Sequence, residues 1–429
     1  MPPFPAPFPA AASPPRLRRV AFYSHDTQGL GHTRRNIALA AALVEAAPDT
    51  DVLLLTGNPE AAMLPLPPRT DVLTLPTIRK TDDGDYAART LASPLEVVLD
   101  VRARILAATL GSFAPDLLVV DKVAAGVRGE LLPALSTLRE QGGTRVVLGL
   151  REVLDTPEVA IEQWARSATT EVLADYYDAV WVYGDQSVYD PVVEYRLPPE
   201  VAAMVEYTGY LGHGRSDTLH PRSGPPARVA PPTGPYVLCT VGGGQDGQAL
   251  ARAFAAAPLP EGHAGVLLTG PFMAARVRDV VTAAAAADDR LTVLDFVPDC
   301  EEFVAGAAAV VSMGGYNSVC ELLAAGARAL VVPRVSPREE QLVRAVRLAE
   351  RGLLDYCHPD ELTAEVLADW LSTAVSTPAP AGAPVDLDGL RRVPWLADRL
   401  LAPQPAAVPG RTAGGGVRAP LAEVSGAAV

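Results

Sequence analysis

The sequence predicts an α/β fold of two parallel-sheet domains that face each other across a cleft. Short apolar runs rich in Val and Leu alternate with Ala-, Leu-, Glu- and Arg-rich stretches of helical period. This alternation is typical of strands and helices in parallel α/β layers. A proline-rich segment at 215–235 interrupts the alternation once, after which it restarts. A chain of 429 residues accommodates two such domains.

The first half supplies six predicted strands and a closing run. Helices are expected between most of them, for example at 33–45 and 129–141. The strands are predicted at 20–25, 51–57, 71–76, 116–121, 145–150 and 179–184, and the closing run at 207–212.

The second half repeats the pattern after the proline-rich linker, and a last helix at 387–401 is expected to cross back onto the first domain. The strands are predicted at 236–242, 265–270, 291–296, 308–314 and 329–334. The resulting division is a disordered tail at 1–18, a first domain at 19–214, the linker, a second domain at 236–402 and a disordered tail at 403–429.

Composition and charge exclude several classes of function. The formal net charge is -14, and no long basic run offers a face to nucleic acid. No apolar run of roughly 18 residues predicts a membrane span, and the proline-rich N-terminus is unlike a signal peptide. The four cysteines show no CxxC spacing, so we expect free thiols in the cytoplasm and no metal site.

The loop after the first predicted strand contains Gly29, Gly31 and His32, and a helix follows in which Thr33 is the expected cap. Glycines permit a tight turn and close approach of a ligand to the backbone. His32 would stand at the positive end of the helix, which disfavours the imidazolium form. A neutral imidazole facing a cleft suits a general base for an acceptor hydroxyl.

The partners of His32 are also strand-end residues. Asp26 or Asp121 could hold the tautomer of His32, although a structural histidine that bonds across the turn is an equally good interpretation of the spacing alone. Arg34 and Arg35 are expected to be solvated or salt-bridged, with an anion contact as the alternative. The polar segment 77–86 is interpreted as a solvated turn or as part of an acceptor pocket.

A glycine-rich segment at 241–247 follows the first strand of the second half. Gly243 and Gly244 would expose backbone N–H groups beside a helix N-terminus, which makes an anion site suited to a diphosphate. A plain tight turn is the alternative interpretation.

The segment 312–341 carries the most specific pattern. Asn317 or Ser318 is expected to cap a helix whose first turn contains Glu321, a carboxylate placed either for a ribose diol or for the helix dipole alone. After the next strand, Glu340 and Gln341 suit the hydroxyls of a sugar, or form a solvated first turn of a helix.

These motifs resemble the donor-binding region of glycosyltransferases with the two-Rossmann (GT-B) fold, in particular the group that contains the peptidoglycan lipid-intermediate N-acetylglucosaminyltransferase. The likeness is good over 236–354 and rests mainly on the first loop in the N-terminal half. One departure is Met313, which stands where many such motifs carry a histidine, so a phosphate contact is lost there.

The resemblance implies a hexosyltransferase that uses a nucleotide-diphosphate sugar, in particular a UDP-sugar, by a metal-independent inverting displacement. It implies no cofactor and an acceptor (lipid, glycan or natural product) on the first domain. The sequence leaves peripheral membrane contact through surface apolar side chains open, and no segment marks it. His32 would be the base with Asp121 behind it, and the implied donor contacts are Gly243, Gly244, Phe296, Val297, Gly315, Asn317, Ser318, Glu321, Glu340 and Gln341.

Two other functions remain open at the level of sequence. A nucleotide-sugar epimerase of the same fold would bind the same donor and would need several acids around the sugar. A non-catalytic nucleotide- or glycan-binding protein would show binding without turnover. The sequence offers only scattered acids in the second half, which favours the transferase.

Overall fold

The structure is a computed structural model, and it describes residues 18–25, 30–81, 85–214, 229–297, 300–378 and 384–402. The predicted tails, apart from Arg18, which begins a strand, lie outside the described residues, as do most of the predicted linker, Asp26 and Gly29.

The first domain is built on a seven-stranded parallel sheet of order β3-β2-β1-β6-β7-β8-β9. A separate antiparallel hairpin, β4-β5, stands beside it. The strands are β1 (Arg18–Ser24), β2 (Thr50–Thr56), β3 (Thr70–Thr74), β4 (Ile78–Lys80), β5 (Tyr86–Ala88), β6 (Leu117–Asp121), β7 (Arg145–Arg151), β8 (Ala179–Tyr183) and β9 (Val205–Tyr207).

Helices cover both faces of this sheet. Short 3-10 turns at Pro59–Met63 and Val127–Gly129 supplement them. The helices are α1 (Gly31–Ala46), α2 (Leu95–Phe113), α3 (Leu132–Gln141), α4 (Pro157–Arg166), α5 (Thr169–Tyr176), α6 (Pro191–Glu194) and α7 (Pro199–Ala202).

The second domain is built on a six-stranded parallel sheet of order β12-β11-β10-β13-β14-β15. A 3-10 turn lies at Pro359–Glu361. The strands are β10 (Tyr236–Thr240), β11 (Ala264–Leu268), β12 (Leu291–Leu294), β13 (Ala309–Ser312), β14 (Ala329–Val331) and β15 (Asp355–Tyr356), and the helices are α8 (Gln248–Ala256), α9 (Ala275–Ala287), α10 (Glu301–Gly306), α11 (Tyr316–Ala324), α12 (Glu340–Glu350), α13 (Ala364–Ala374) and α14 (Gly389–Leu401).

The two-sheet architecture predicted from the alternating pattern is confirmed, and each predicted strand is present within a few residues of its expected position. The pattern missed β15, which is too short to show a period, and the β4-β5 hairpin. The solvated turn expected at 77–86 is therefore wrong in part, because this hairpin occupies both ends of that segment and buries Ile78.

The strand order reverses once in each sheet, at β1 in the first and at β10 in the second. A ligand site is expected at these two reversal points. In the first sheet the chain runs from β1 outward to β3 and then returns to place β6 on the other side of β1. In the second sheet β10 is flanked in the same way by β11 and β13. Ligands of open parallel sheets bind beyond the carboxyl ends of strands at such reversal points. A ligand is therefore expected beside the loops that follow β1, β6, β10 and β13.

The last helix belongs in space to the first domain. α14 packs against α1, as the sequence predicted. The chain before it pairs with the segment after β9, where the Tyr210 N–H donates to the Asp386 carbonyl at 2.8 Å. Within α14, Asp398 accepts a hydrogen bond from Arg18 at 2.6 Å. The chain thus crosses between the domains twice, once before β10 and once before α14.

One ion pair between the domains is completely buried. Glu152, just after β7, faces Arg344 of α12, with Nε to Oε1 at 2.5 Å and Nη2 to Oε2 at 3.2 Å, and neither side chain is exposed. Burial opposes the charge on Arg344, but the carboxylate of Glu152 outweighs it and raises the pKa of Arg344. The pair joins the two domains directly behind the cleft.

Two further observations concern environment. All four cysteines are free thiols, as predicted. Among the helices of the described residues, none combines the length and apolar character that a membrane crossing requires.

We predict that Arg344→Met lowers the free energy of unfolding by about 3–5 kcal/mol, because it leaves the Glu152 carboxylate buried without its counterion. Urea unfolding of the variant measures this loss. The double variant Glu152→Gln with Arg344→Met should recover part of it, since both charges are gone.

Arg347→Met is the matched control on the same helix. Its partner Glu194 is partly exposed, so the loss should stay below about 1 kcal/mol. Equal losses for Arg344→Met and Arg347→Met would contradict the special weight given to the buried pair.

Candidate functional site

His32 stands in the first turn of α1, where the sequence placed it. The helix begins at Gly31, and Leu30 precedes it without a side-chain cap. The expected Thr33 cap is therefore wrong, because the helix starts two residues earlier. Thr33 is buried inside the helix and accepts a hydrogen bond from the Asn58 amide at 3.4 Å. The His32 side chain keeps 19% of its surface exposed, as a group that meets a substrate must.

Asp121 ends β6 and joins His32 across the reversal point of the first sheet. Its Oδ1 lies 3.1 Å from His32 Nδ1. Arg35 of α1 places Nη2 at 2.6 Å from Oδ1 and 2.5 Å from Oδ2. Burial alone would raise the pKa of Asp121, but Arg35 and His32 outweigh it and hold that pKa far below its usual value. The carboxylate is therefore a permanent anion behind His32.

His32 Nδ1 has two close neighbours, Asp121 Oδ1 at 3.1 Å and Arg35 Nη2 at 2.8 Å. In the tautomer whose Nδ1–H donates to Asp121, Nε2 is left as an acceptor, which is the state that a general base requires.

A second histidine, His25, lies beside His32. His25, directly after β1, has its ring centroid 5.6 Å from that of His32. Burial lowers the pKa of His25 well below its usual value, with His32 and Lys122 acting in the same direction, so the ring is neutral. Its Nδ1 is buried without a hydrogen-bond partner in the described part of the chain.

The glycine-rich segment forms the predicted turn between β10 and α8. Gly242 and Gly244 adopt left-handed conformations at φ +61° and +90°. A Cβ on Gly244 would stand 2.3 Å from the Thr269 carbonyl oxygen, and one on Gly247 would stand 2.9 Å from Met313 Sδ. The backbone of the turn therefore packs directly against neighbouring residues, and positions 244 and 247 have no room for a Cβ atom. A Cβ on Gly243 would meet only the Phe272 ring, at 3.5 Å.

The second phosphate candidate is the start of α11. The helix begins at Tyr316 after Gly315, and no side chain caps it. The expectation that Asn317 or Ser318 is the cap is therefore wrong, because both lie within the first turn. A Cβ on Gly315 would meet open space. The Asn317 amide instead donates to the carbonyl of Gly31 in the first domain, at 3.0 Å.

Glu321 lies in the second turn of α11, not in the first as predicted, because the helix starts at Tyr316. Its side chain is nearly buried, and its Oε1 is 3.9 Å from Nη2 of Arg34. The carboxylate is thus aimed at the first domain across the cleft. Its contact with a ribose remains a prediction.

Glu340 begins α12, as predicted, but it is buried rather than solvated. Its Oε1 lies 2.5 Å from Arg334 Nη2 and 3.9 Å from Arg151 Nη1. Burial would raise the pKa of Glu340, but Arg151 and Arg334 outweigh it and lower the pKa. Gln341 accepts a hydrogen bond from the Arg334 backbone N–H at 3.0 Å. Its amide oxygen therefore holds the loop.

Phe296 and Val297 follow β12, the edge strand two positions from β10. Val297 is buried, whereas the Phe296 ring is 45% exposed. Their predicted contact with a base remains a prediction.

Sequence reasoning missed several arginines that organise the site. Arg35 was expected to be solvated or salt-bridged, but its contact with both carboxylate oxygens of Asp121 was not predicted. Arg334 joins Glu340 to Asp246 of the glycine-rich turn, with Nη1 to Oδ2 at 3.1 Å. Asp121 is 86 positions from Arg35 and Asp246 is 88 positions from Arg334, so only the fold reveals these two pairs. Among the described residues no three His, Cys, Asp or Glu side chains converge as a metal site would require.

Comparison with known proteins relates the second domain to a family of glycosyltransferases. Residues 237–381 match the model of the glycosyltransferase family 28 C-terminal domain. A UDP-N-acetylglucosamine--N-acetylmuramyl-(pentapeptide) pyrophosphoryl-undecaprenol N-acetylglucosamine transferase from Burkholderia cenocepacia (strain HI2424) is 30% identical over 181 residues, which are 39% of this chain and 49% of the relative. The matched part thus spans about half the length of this curated relative.

Solved structures extend the likeness over both domains and show the GT-B fold. The glycosyltransferase of kitacinnamycin superposes with a TM-score of 0.55 at 17% identity, over 90% of this chain and 100% of that chain. A putative UDP-N-acetylglucosamine 2-epimerase from Listeria monocytogenes gives 0.53 at 14% identity, over 87% and 94%.

We predict that Gly244→Ala destabilises the second domain while Gly243→Ala does not. A left-handed alanine costs about 2 kcal/mol, and the clash with the Thr269 carbonyl adds to it, so the melting temperature should fall by roughly 5 °C or more. Thermal unfolding of the two variants measures the difference. Equal melting temperatures would show that the backbone at Gly244 does not pack closely against the Thr269 carbonyl.

Proposed function

We propose that this protein is a glycosyltransferase that moves a hexosyl group from a nucleotide-diphosphate sugar, in particular a UDP-sugar, to an acceptor hydroxyl. The observation that carries the proposal is the hydrogen bond from Asn317 to the Gly31 carbonyl, at 3.0 Å. It holds the first turn of α11, the proposed phosphate site, against the residue that precedes His32. Donor phosphates and the base would therefore meet in one cleft.

On the acceptor side, His32 Nε2 would take the proton from the attacking hydroxyl. The Nδ1–H bond to Asp121 would hold the ring and stabilise the imidazolium that forms, and Arg35 would keep Asp121 in place. A single displacement assisted by such a base inverts the configuration at the anomeric carbon.

On the donor side, negative charge develops on the leaving diphosphate. Backbone N–H groups of the glycine-rich turn and of the first turn of α11 would stabilise it, because both are fixed before the reaction. Arg334 stands beside the turn through Asp246 and would supply the side-chain cation that Met313 cannot. Glu321 would hold the ribose, and Glu340 would face the sugar.

The family of the second domain and the named activity of its curated relatives support a nucleotide-sugar donor and favour UDP. The four free thiols fit a reducing compartment, and we propose the cytoplasm. The acceptor would be a lipid, a glycan or a natural product.

An epimerase of this fold is the alternative, and the solved structures include such a protein. An epimerase acts on the donor sugar without an acceptor and needs free acids around it. Here Glu340 and Asp246 are both paired with Arg334, which favours the transferase. Incubation of a UDP-sugar alone distinguishes the two, because only an epimerase would form an isomer.

We predict that UDP or dTDP, but not GDP or ADP, stabilises the protein against heat. At a concentration about 100-fold above its dissociation constant, a ligand adds roughly 2.7 kcal/mol, which corresponds to about 5–10 °C. Glu321→Ala should reduce this shift, whereas Glu365→Ala, an exposed acid on α13, should not. No shift with any nucleotide would refute the donor site.

We predict that His32→Ala lowers kcat by about 10²–10⁴-fold and leaves the affinity for UDP within about twofold, because the imidazole acts only on the acceptor. Turnover of a UDP-sugar and UDP titration measure the two quantities. His263→Ala is the control, since that histidine lies before the amino end of β11 in the second sheet, away from the carboxyl ends of the strands. An unchanged kcat in His32→Ala would show that His32 is not the general base.

A further inference from the structure

An acidic side chain lies inside the turn that is proposed to bind the donor diphosphate. The turn between β10 and α8 contains Gly243, Gly244 and, two positions later, Asp246. A loop that binds a diphosphate through its backbone offers N–H groups to the ligand. A carboxylate in the same loop repels that ligand, because both carry negative charge. The location of Asp246 therefore bears directly on how the donor binds.

The backbone of this turn has donors that the protein does not use. The Gly244 N–H donates to the Val241 carbonyl at 3.2 Å, which closes the turn. The N–H groups of Gly243, Gln245 and Asp246 donate to no acceptor in the described part of the chain. The Asp246 carboxylate is thus not bonded to its own turn, although it lies within it.

Asp246 instead forms an ion pair with Arg334, which lies in the loop between β14 and α12. Nη1 of Arg334 donates to Oδ2 of Asp246 at 3.1 Å. The proposed function assigns the same guanidinium to the donor phosphates. The carboxylate and the diphosphate therefore have one cationic partner in common, and the two anions compete for it.

Other contacts hold Arg334 in place without Asp246. Its Nη2 lies 2.5 Å from Oε1 of Glu340, and its backbone N–H donates to Oε1 of Gln341 at 3.0 Å. The Glu340 side chain is only 3% exposed, so breaking its ion pair would leave a charge buried without a counterion. Arg334 is therefore anchored on the side of α12, and Nη1 faces the turn.

The contact of Arg334 with Asp246 is the one that opens easily. The Asp246 side chain is 51% exposed, so water can hydrate the carboxylate once it leaves the guanidinium. Loss of such an exposed ion pair changes an equilibrium constant by about fivefold or less. A diphosphate carries more charge than a carboxylate and also accepts hydrogen bonds from the turn, so it displaces Asp246 from Arg334.

We propose that Asp246 is an internal competitor of the donor, whose carboxylate occupies Arg334 until the diphosphate of a nucleotide sugar displaces it. This inference rests on the proposed function, since it assumes that the diphosphate binds at the glycine-rich turn. The ion pair directs Arg334 at the turn before the donor arrives, and it lowers the affinity for the donor. When the nucleotide product leaves, the pair forms again, which favours product release.

Removal of the competing charge is the direct test. Isothermal titration calorimetry with UDP compares the whole wild-type chain with Asp246→Asn, in which the side chain keeps its size and loses its charge. We expect UDP to bind Asp246→Asn about three- to fivefold more tightly. Asp289→Asn is the matched control, because it removes the same charge from an exposed residue before the amino end of β12. It should leave the affinity unchanged.

A double-mutant cycle shows whether Arg334 is the shared partner. Arg334→Met should weaken UDP binding by about tenfold. Asp246→Asn added to Arg334→Met should change the affinity by less than about twofold, because the carboxylate then has no guanidinium to leave. Arg334→Met also deprives the buried Glu340 of its nearest cation. The cycle is therefore repeated with Glu340→Gln present throughout, so that no buried charge is left unpaired.

The stability of the protein without UDP distinguishes competition from a structural role of Asp246. Loss of an exposed ion pair should leave the melting temperature of Asp246→Asn equal to that of the wild-type chain or slightly below it, while the affinity for UDP rises. A carboxylate that only supports the turn would give a different result, because its loss would lower both the melting temperature and the affinity.

The outcomes separate this inference from the proposed function. If UDP binds the wild-type chain, and binds Asp246→Asn equally well or more weakly, the competition is refuted and the transferase proposal stands. If Asp246→Asn tightens binding equally with and without Arg334, repulsion alone explains the gain, and the inference is again wrong. If UDP binds neither the wild-type chain nor Asp246→Asn, the donor site is refuted, and the proposed function fails together with this inference.

Discussion

The ring of Tyr316 lies between two buried guanidinium groups, with Arg35 at 5.7 Å and Arg344 at 5.6 Å from its centroid. Arg35 belongs to the first domain and Arg344 to the second. Both are held by carboxylates of the first domain, Asp121 and Glu152. Charges buried this deeply persist only while their partners stay in place. The contact between the domains therefore decides where the start of α11 stands relative to the start of α1.

This contact gives the cleft a fixed geometry before any substrate arrives. The Tyr316 hydroxyl accepts a hydrogen bond from the Leu211 N–H at 3.3 Å, and its ring stacks on Tyr210. Burial raises the pKa of Tyr316 well above its usual value, so the hydroxyl stays neutral and keeps its role as an acceptor. A helix end held by several directional contacts presents its N–H groups without further reorganisation. Dipoles fixed in this way stabilise developing charge most effectively.

The sequence predicted the two sheets and the glycine-rich turn after β10 because both depend on local pattern. The spacing of apolar residues and the positions of glycines can be recognised within a window of ten residues. Once the sheet forms, the reversal of strand order brings His32 and Asp121 together. Helix starts were less readable, as Thr33 and Asn317 show. α1 and α11 begin without a side-chain cap, so a capping residue near each start marked the wrong position.

The roles of Arg35 and Gln341 could not be predicted for a different reason. Asp121 is 86 positions from Arg35, and no local sequence pattern predicts an ion pair over such a separation. Gln341 looked like a sugar ligand because an amide after a strand suits hydroxyls. In the folded chain the same amide satisfies the N–H of Arg334. A polar side chain at a strand end serves the loop or the ligand, and only the packed structure decides between the two.

Arginines connect the stability of the fold with the geometry of the cleft. Arg338 and Arg344 of the second domain pair with Asp155 and Glu152 of the first domain, and the planar guanidinium suits such pairs. Arg35 pairs with Asp121, the carboxylate that contacts His32. The ion pairs that join the domains and the ion pair behind His32 therefore use the same side chain, and loss of either kind would displace the residues that face the cleft.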